Sequence, residues 1–127
     1  MNLTRRATAS DAAQVFQLTR RFATSFEPEH DPFNQAFSRL IAKDDALLLV
    51  AETDGVVQGY LLGFRHDTLF ANGPLGWVEE VMVDEAQRRS GIGRELMQTF
   101  EAWAASGGAR LVALATRRAS DFYVALG

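Results

Sequence analysis

Residues 81–94 read VMVDEAQRRSGIGR, and this stretch carries more information about the fold than any other. An apolar run ends at Val83, a polar turn follows, and a long segment with helical apolar periodicity begins at Gly91. The pattern predicts a strand, a turn and a helix. The first N–H groups of a helix lack intrahelical partners and carry partial positive charge, so they attract phosphate. The stretch therefore predicts a phosphate-binding turn, with a solvated basic turn before an ordinary helix as the alternative.

Two widespread phosphate-binding loops do not fit this segment. The nucleoside-triphosphatase loop needs Gly, four residues and then Gly-Lys-Ser/Thr, whereas the only lysine is Lys43. The dinucleotide fingerprint Gly-x-Gly-x-x-Gly follows an early strand. Here Gly91-x-Gly93 lies late in the chain and Leu96 takes the place of the third glycine. What remains is Arg88-x-x-Gly91-x-Gly93.

The rest of the chain alternates between strand and helix patterns. Asp54-Gly55 is a hairpin turn signal. Asp31-Pro32 is typical of a helix start, with Asp31 as the cap and Pro32 at the first helical position. The periodicities predict strands over 3–7, 46–51, 56–64, 77–83 and 110–115, and helices over 10–25, 31–43, 91–106 and 119–126. We expect one α/β domain over residues 1–127, in the order β-α-α-β-β-β-α-β-α, with a mixed β-sheet flanked by helices. We also expect a final strand that would follow Gly127.

Composition restricts the class of protein. The chain has 127 residues, enough for one domain with its own core, and 47% of them are apolar. No apolar run approaches the roughly 20 residues of a membrane helix, and the first residues lack the apolar stretch of a signal peptide. With no cysteine and two histidines, a metal site is disfavoured, and the net charge of −3 disfavours nucleic-acid binding. We expect a cytoplasmic protein that binds no metal, membrane or nucleic acid.

Two motifs in the same order make the chain resemble the GNAT superfamily of N-acetyltransferases. The first is the strand 78–83, Val-Glu-Glu-Val-Met-Val, followed by Arg88-x-x-Gly91-x-Gly93, where the family has Gln/Arg-x-x-Gly-x-Gly/Ala. The second, at 116–127, reads Thr-x-x-Ala-x-x-Phe-Tyr-x-x-x-Gly. The family often has Asn where Thr116 stands, and a threonine hydroxyl has less reach. The resemblance implies a GNAT-like fold and acetyl-CoA as the cosubstrate.

The resemblance also implies which residues hold acetyl-CoA. Its pyrophosphate would lie on the backbone of residues 89–94, with the side chains of Arg88 and Arg89 adding charge. Its pantetheine arm would pair with strand 81–83, as an added strand does. The implied cofactor-binding residues are Val81, Met82, Val83, Arg88, Arg89, Ser90, Gly91, Ile92, Gly93, Arg94, Thr116, Ala119 and Phe122.

Three residues would carry the chemistry if the resemblance holds. An ammonium must lose a proton before it attacks a thioester, and Glu79 is the first choice of base, with Glu80 close behind. The family's strand has a bulge near these residues, and the backbone N–H of Val81 would hold the oxyanion. Tyr123 would protonate the departing thiolate, in a direct attack without a covalent intermediate. The alternatives are a solvent-facing carboxylate pair and a structural tyrosine.

The acetyl acceptor is the least determined feature. The predicted loop between the first two helices is acidic and aromatic, which would attract a cationic amine. The expected acceptor-binding residues are Phe26, Glu27, Glu29 and His66, with simple solvation of these side chains as the alternative. We expect a small-molecule primary amine as substrate and allow for a homodimer. A protein or peptide N-acetyltransferase and a non-catalytic acetyl-CoA-binding regulatory domain remain alternatives.

Overall fold

The computed structural model describes residues 2–23, 26–87, 90–114 and 122–125. The strands are β1 (Asn2–Arg6), β2 (Ala46–Thr53), β3 (Val56–His66), β4 (Leu75–Val83), β5 (Leu111–Leu114) and β6 (Phe122–Ala125). The helices are α1 (Ala12–Phe22), α2 (His30–Ile41) and α3 (Ile92–Ser106).

The strands form a single six-stranded sheet in the order β1-β2-β3-β4-β5-β6. Only β4 and β5 pair in parallel, and α3 forms the connection between them. The β2–β3 hairpin turns at Asp54 and Gly55, whose φ angles of 52° and 82° suit the tight turn that the sequence predicts. The mixed α/β architecture expected from the sequence is therefore confirmed.

Helices cover both faces of the sheet. On one face, α3 buries a stripe that includes Ile92, Leu96 and Phe100 against the sheet. On the other face, α1 and α2 pack against a second cluster that includes Phe37 and Tyr60. Because both faces are covered, the central strands carry the long apolar runs seen in the sequence.

A glycine lets α3 approach the sheet closely. A Cβ added at Gly63 would lie 2.2 Å from the ring of Phe100, a side chain with 0% exposure. Any larger residue in this place would push the helix and the sheet apart. The height of α3 above β3 and β4 therefore depends on Gly63.

An ion-pair cluster fastens the first strand to the start of α1. The guanidinium of Arg5 donates to both carboxylate oxygens of Asp11, at 2.8 and 3.0 Å, and to Glu52 at 2.9 Å. The hydrogen bonds from Arg5 hold the pKa of the buried Asp11 below its ordinary value, and the backbone N–H of Thr8 adds to the effect.

Two sequence predictions of local structure are wrong. A helix was expected over 119–126, but residues 122–125, the described part of this range, form the strand β6, antiparallel to β5. The aromatic and β-branched run Phe-Tyr-Val favours a strand, and the open edge of β5 supplies its partner. In addition, α2 begins at His30 with Glu29 as its N-cap, so Asp31 is not the cap. Asp31 and Pro32 instead lie in the first turn, where backbone N–H groups need no helical partner.

Candidate active site

A β-bulge in β4 lies at the pair of carboxylates. Glu80 is opposite Leu62 and Val78 is opposite Gly63, so Glu79 is the extra residue without a partner on β3. A bulge interrupts the alternation of side chains along a strand. The bulge expected near Glu79 and Glu80 is therefore confirmed.

The bulge turns both carboxylates toward the face covered by α1 and α2. Glu80 accepts a hydrogen bond of 2.7 Å from the hydroxyl of Tyr60, which belongs to the cluster on that face. Glu79 accepts one of 3.1 Å from the indole of Trp77, whose cross-strand partner Phe64 packs against the same cluster. Without the extra residue, one of two neighbouring side chains would point to the opposite face.

The two carboxylates differ in their surroundings. Glu79 is exposed and its partner comes from its own strand, two residues away. Glu80 is half-buried and its partner, Tyr60, is only 2% exposed. The hydroxyl of Thr19 in α1 lies 3.1 Å from that of Tyr60 and 2.9 Å from the carbonyl of Val15.

The tyrosine hydroxyl stays protonated. Burial, together with the nearby negative charge of Glu80, raises the pKa of Tyr60 well above its ordinary value. Tyr60 therefore acts as a hydrogen-bond donor to Glu80 over the whole physiological pH range. Tyr60 is not recognisable as a site residue in the sequence, because a tyrosine in an apolar strand is typical of a core.

The edge of β4 that faces β5 is paired over only half of its length. The register of these two strands ends at Val78 opposite Leu114, directly before the bulge. In the described part of the chain, the backbone of residues 79–83 therefore has no strand partner on this side. An extended chain such as a pantetheine arm could pair with that edge.

The turn between β4 and α3 has the backbone that a phosphate site needs. Gly91 caps α3 with φ of 91°, in the left-handed region, and no atom lies within 4 Å of an added Cβ. An added Cβ at Gly93 would meet only Val83, at 3.8 Å. The first turn of α3 begins here, so its N–H groups lack intrahelical partners. They lie at an open part of the surface. The geometry fits a diphosphate; Arg88 and Arg89 lie outside the described residues.

The second motif falls only partly within the described residues. Thr116 and Ala119 lie outside them. Phe122 and Tyr123 are in β6, with their Cα atoms opposite Leu114 and Ala113 of β5. Because Ala113 is in turn opposite Trp77, the backbone of Tyr123 lies two strands from β4, roughly 10 Å away.

The expected acceptor-binding residues are not all brought together. Phe26 is 86% exposed, and Glu27 and Glu29 are exposed in the same connection between α1 and α2. His66 does not join Glu80, because β3 runs on to His66, which is opposite Leu75 at the far end of β4. Four residues of strand, roughly 13 Å, separate it from Leu62, the partner of Glu80. The expected role of His66 in binding the acceptor stays a prediction.

A cleft at the end of β4 was not expected from the sequence. It has a volume of about 490 Å³ and is lined by Arg21 of α1 and by Asp84, Glu85 and Ala86. Arg21 forms an ion pair of 2.6 Å with Asp84, which ties the end of α1 to the turn before α3. The two residues are 63 positions apart, so no local pattern could have indicated their contact.

The described residues contain neither a metal-binding cluster nor a membrane-spanning helix. No group of three or more histidine, aspartate or glutamate side chains there could hold a metal ion. None of the helices in this part of the chain has the length and apolar character to span a bilayer.

Solved structures of other proteins have a similar fold. A solved glucosamine-6-phosphate N-acetyltransferase from Arabidopsis thaliana has a TM-score of 0.81 at 20% identity, with 93% of this chain and 84% of that chain covered. The aminoglycoside 6′-N-acetyltransferase AAC(6′)-IG from Acinetobacter haemolyticus gives 0.80 at 21% identity, with 91% and 80% covered. The aminoglycoside N-acetyltransferase AAC(6′)-Iy in complex with CoA gives 0.83 at 18% identity, with 93% and 78% covered.

These likenesses concern the fold, and no curated protein sequence matches the chain significantly. The family model for the acetyltransferase (GNAT) family matches residues 12–127. This match covers nearly the whole chain and both motifs. The chain therefore belongs to the GNAT family of N-acetyltransferases, enzymes that use acetyl-CoA.

Proposed function

We propose that this enzyme acetylates the primary amine of a small cationic acceptor. The observation that carries the proposal is the bulge in β4. It presents Glu79 and Glu80 on the face of α1 and α2, next to the last described pair between β4 and β5. A base would thus lie beside the strand edge that we assign to acetyl-CoA, as acyl transfer to an amine requires.

The turn at Gly91 and the free edge of β4 would hold acetyl-CoA, which supplies an acetyl group activated as a thioester. The backbone N–H groups of residues 89–94 would bind its diphosphate. The side chains of Arg88 and Arg89 would add positive charge, and the backbone of residues 81–83 would pair with its pantetheine arm. Thr116, Ala119 and Phe122 complete the proposed cofactor site through the second motif.

In the proposed reaction, a carboxylate removes one proton from the acceptor's ammonium group. The neutral nitrogen then adds to the acetyl carbon, whose carbonyl oxygen becomes an oxyanion, and the carbon–sulfur bond breaks when this intermediate collapses. The N–H of Val81 would stabilise the oxyanion. Tyr123 would give its phenolic proton to the departing thiolate, and the second proton that the nitrogen loses on becoming an amide would restore the phenol; the family motif supports this role.

The charge of the molecule favours a cationic acceptor. The net charge is −3, and Glu27, Glu29 and Glu79 are all exposed on the described surface. Such a field concentrates cations near the site. The fold neighbours that act on glucosamine-6-phosphate and on aminoglycosides also take small amines. Aminoglycosides, polyamines and lysine-like side chains are thus the classes to test first.

A thiol-release assay with acetyl-CoA and a panel of amines tests the function. We expect turnover with a polycationic small molecule, and little with neutral amines or with peptides that have free N-termini. The Glu79→Gln/Glu80→Gln double variant is the control that should bind acetyl-CoA without turnover. Binding of acetyl-CoA without turnover of any amine would reject the proposed acceptor class.

Tyr123→Phe tests the proposed acid. We expect kcat to fall roughly 10²-fold or more, within the range for general acid catalysis, and the Kd for acetyl-CoA to change little. Steady-state kinetics and calorimetric titration separate the two effects. A kcat equal to that of the wild type would remove Tyr123 from the mechanism.

A further inference from the structure

The two candidate bases are held in different ways, and this difference distinguishes their roles. Glu79 is exposed and its hydrogen bond comes from an indole of its own strand, so among the described residues no side chain of another element holds it by a hydrogen bond. Glu80 is half-buried and is held by a buried hydroxyl from the neighbouring strand. A general base must lie within hydrogen-bond reach of the proton that it removes, about 2.6–3.2 Å between heavy atoms, so a fixed position favours catalysis.

We propose that Tyr60 is a positioning residue that fixes Glu80 as the catalytic base, with Thr19 linking this pair to α1. This inference rests on the proposed acetylation of an amine. The hydroxyl of Tyr60 donates to Oε1 of Glu80 at 2.7 Å and lies 3.1 Å from the hydroxyl of Thr19. The three residues come from α1, β3 and β4, so the position of the base depends on how these elements pack.

The hydrogen bond also orients the base. Within the described residues, Tyr60 uses Oε1 of Glu80 and leaves the other oxygen for the acceptor's ammonium group. The bond would thus fix the direction in which the base faces its substrate.

Other charged groups lie near this part of β4. Glu79 lies next to Glu80 in the bulge, and the Arg21–Asp84 ion pair joins α1 to the end of the strand. The described residues of β5, Leu-Val-Ala-Leu, carry no titratable side chain. Replacing Tyr60 by phenylalanine removes one hydroxyl and alters none of these charges.

A double-mutant cycle on kcat tests the proposal, with the best amine from the panel as substrate. Tyr60→Phe should lower kcat about tenfold, and Glu80→Gln about 100-fold. In the Glu80→Gln background, Tyr60→Phe should change kcat less than twofold. Glu79→Gln is the matched control, and Tyr60→Phe should still cost about tenfold there. An equal loss in both backgrounds, or coupling to Glu79 instead, would overturn the proposal.

A split between kcat and cofactor affinity gives a second readout, which a purely structural role would not produce. Tyr60→Phe should lower kcat and leave the Kd for acetyl-CoA unchanged, because Tyr60 contacts the base and not the proposed cofactor site. Thr19→Val keeps the shape of α1 and should give a smaller fall in kcat. It replaces Tyr60→Phe if that variant does not fold.

A measurement without turnover separates this proposal from the proposed function. Crystal structures of the wild type and of Tyr60→Phe compare the side-chain positions of Glu80 and Glu79. We expect the carboxylate of Glu80 to change its position and that of Glu79 to stay in place. An unchanged position for Glu80 refutes the positioning role, even if no amine is acetylated. Failure of the amine panel with a displaced Glu80 refutes only the acceptor class.

Discussion

Gly91→Ala separates the cost of a strained backbone from the loss of a phosphate site. Gly91 has φ of 91°, and apart from its neighbours in the chain no atom of the described residues lies within 4 Å of an added Cβ. The methyl group therefore meets no clash within the described part of the chain. It projects into the space that we assign to the diphosphate, so the substitution should weaken acetyl-CoA binding more than it weakens the fold.

The chain supplies a matched control for the strain. Gly55 in the β2–β3 turn has φ of 82° and also has no atom within 4 Å of an added Cβ. An L-residue in this region costs roughly 1–2 kcal/mol, and the stiffer unfolded chain of alanine returns roughly 0.4–1 kcal/mol. We expect Gly91→Ala and Gly55→Ala each to lose about 1 kcal/mol of unfolding free energy, or about 4 °C in Tm.

The effect on binding should differ between the two variants. Each hydrogen bond to a charged group contributes roughly 1.5–3 kcal/mol, so displacing the diphosphate from one N–H should raise the Kd for acetyl-CoA about 10- to 100-fold in Gly91→Ala. Gly55→Ala should bind like the wild type. Calorimetric titration and thermal melts give both quantities. Equal affinities for the two variants would refute a phosphate site at Gly91.

Three other substitutions address packing, charge and the helix start. Gly63→Ala should lose about 3 kcal/mol in urea unfolding because it meets Phe100, and adding Phe100→Leu should restore part of it; a double variant less stable than Gly63→Ala would contradict the close contact. Asp11→Asn should lose about 2 kcal/mol at pH 7, since it breaks the bonds to Arg5. The pKa of Asp11 is lowered in the folded protein, so its stabilisation is complete above the unfolded pKa of about 3.9 and is lost as the pH falls through the lower folded value. The difference in unfolding free energy between wild type and Asp11→Asn should therefore shrink below pH 4, and a constant difference would argue against the charge effect. Gly93→Ala should gain about 0.5–1 kcal/mol in thermal melts, because the residue lies in the first turn of α3 and its Cβ has room, and any loss of stability would be unexpected.

Local patterns were sufficient where neighbours along the chain decide the structure. The Asp54-Gly55 turn, the apolar strand at 46–51 and the stripe of α3 depend on turn geometry and periodicity. Element boundaries were less certain, as the start of α2 at His30 shows. The helix prediction was wrong at 122–125 for two reasons. The helix pattern over 119–126 is only eight residues long, and the open edge of β5 gives the backbone of 122–125 better hydrogen-bond partners.

The candidate site also combines features set by neighbours along the chain with features set by distant residues. The sequence alone determined the family, the glycine turn at Gly91 and the pair Glu79-Glu80, because these features are encoded by residues close together in the chain. Only the tertiary structure decided that Tyr60 holds Glu80, that Arg21 meets Asp84 and that His66 lies at the far end of the sheet. The two contacts join residues 20 and 63 positions apart. Contacts of this kind depend on strand register and helix placement, which are set by the packing of the whole chain.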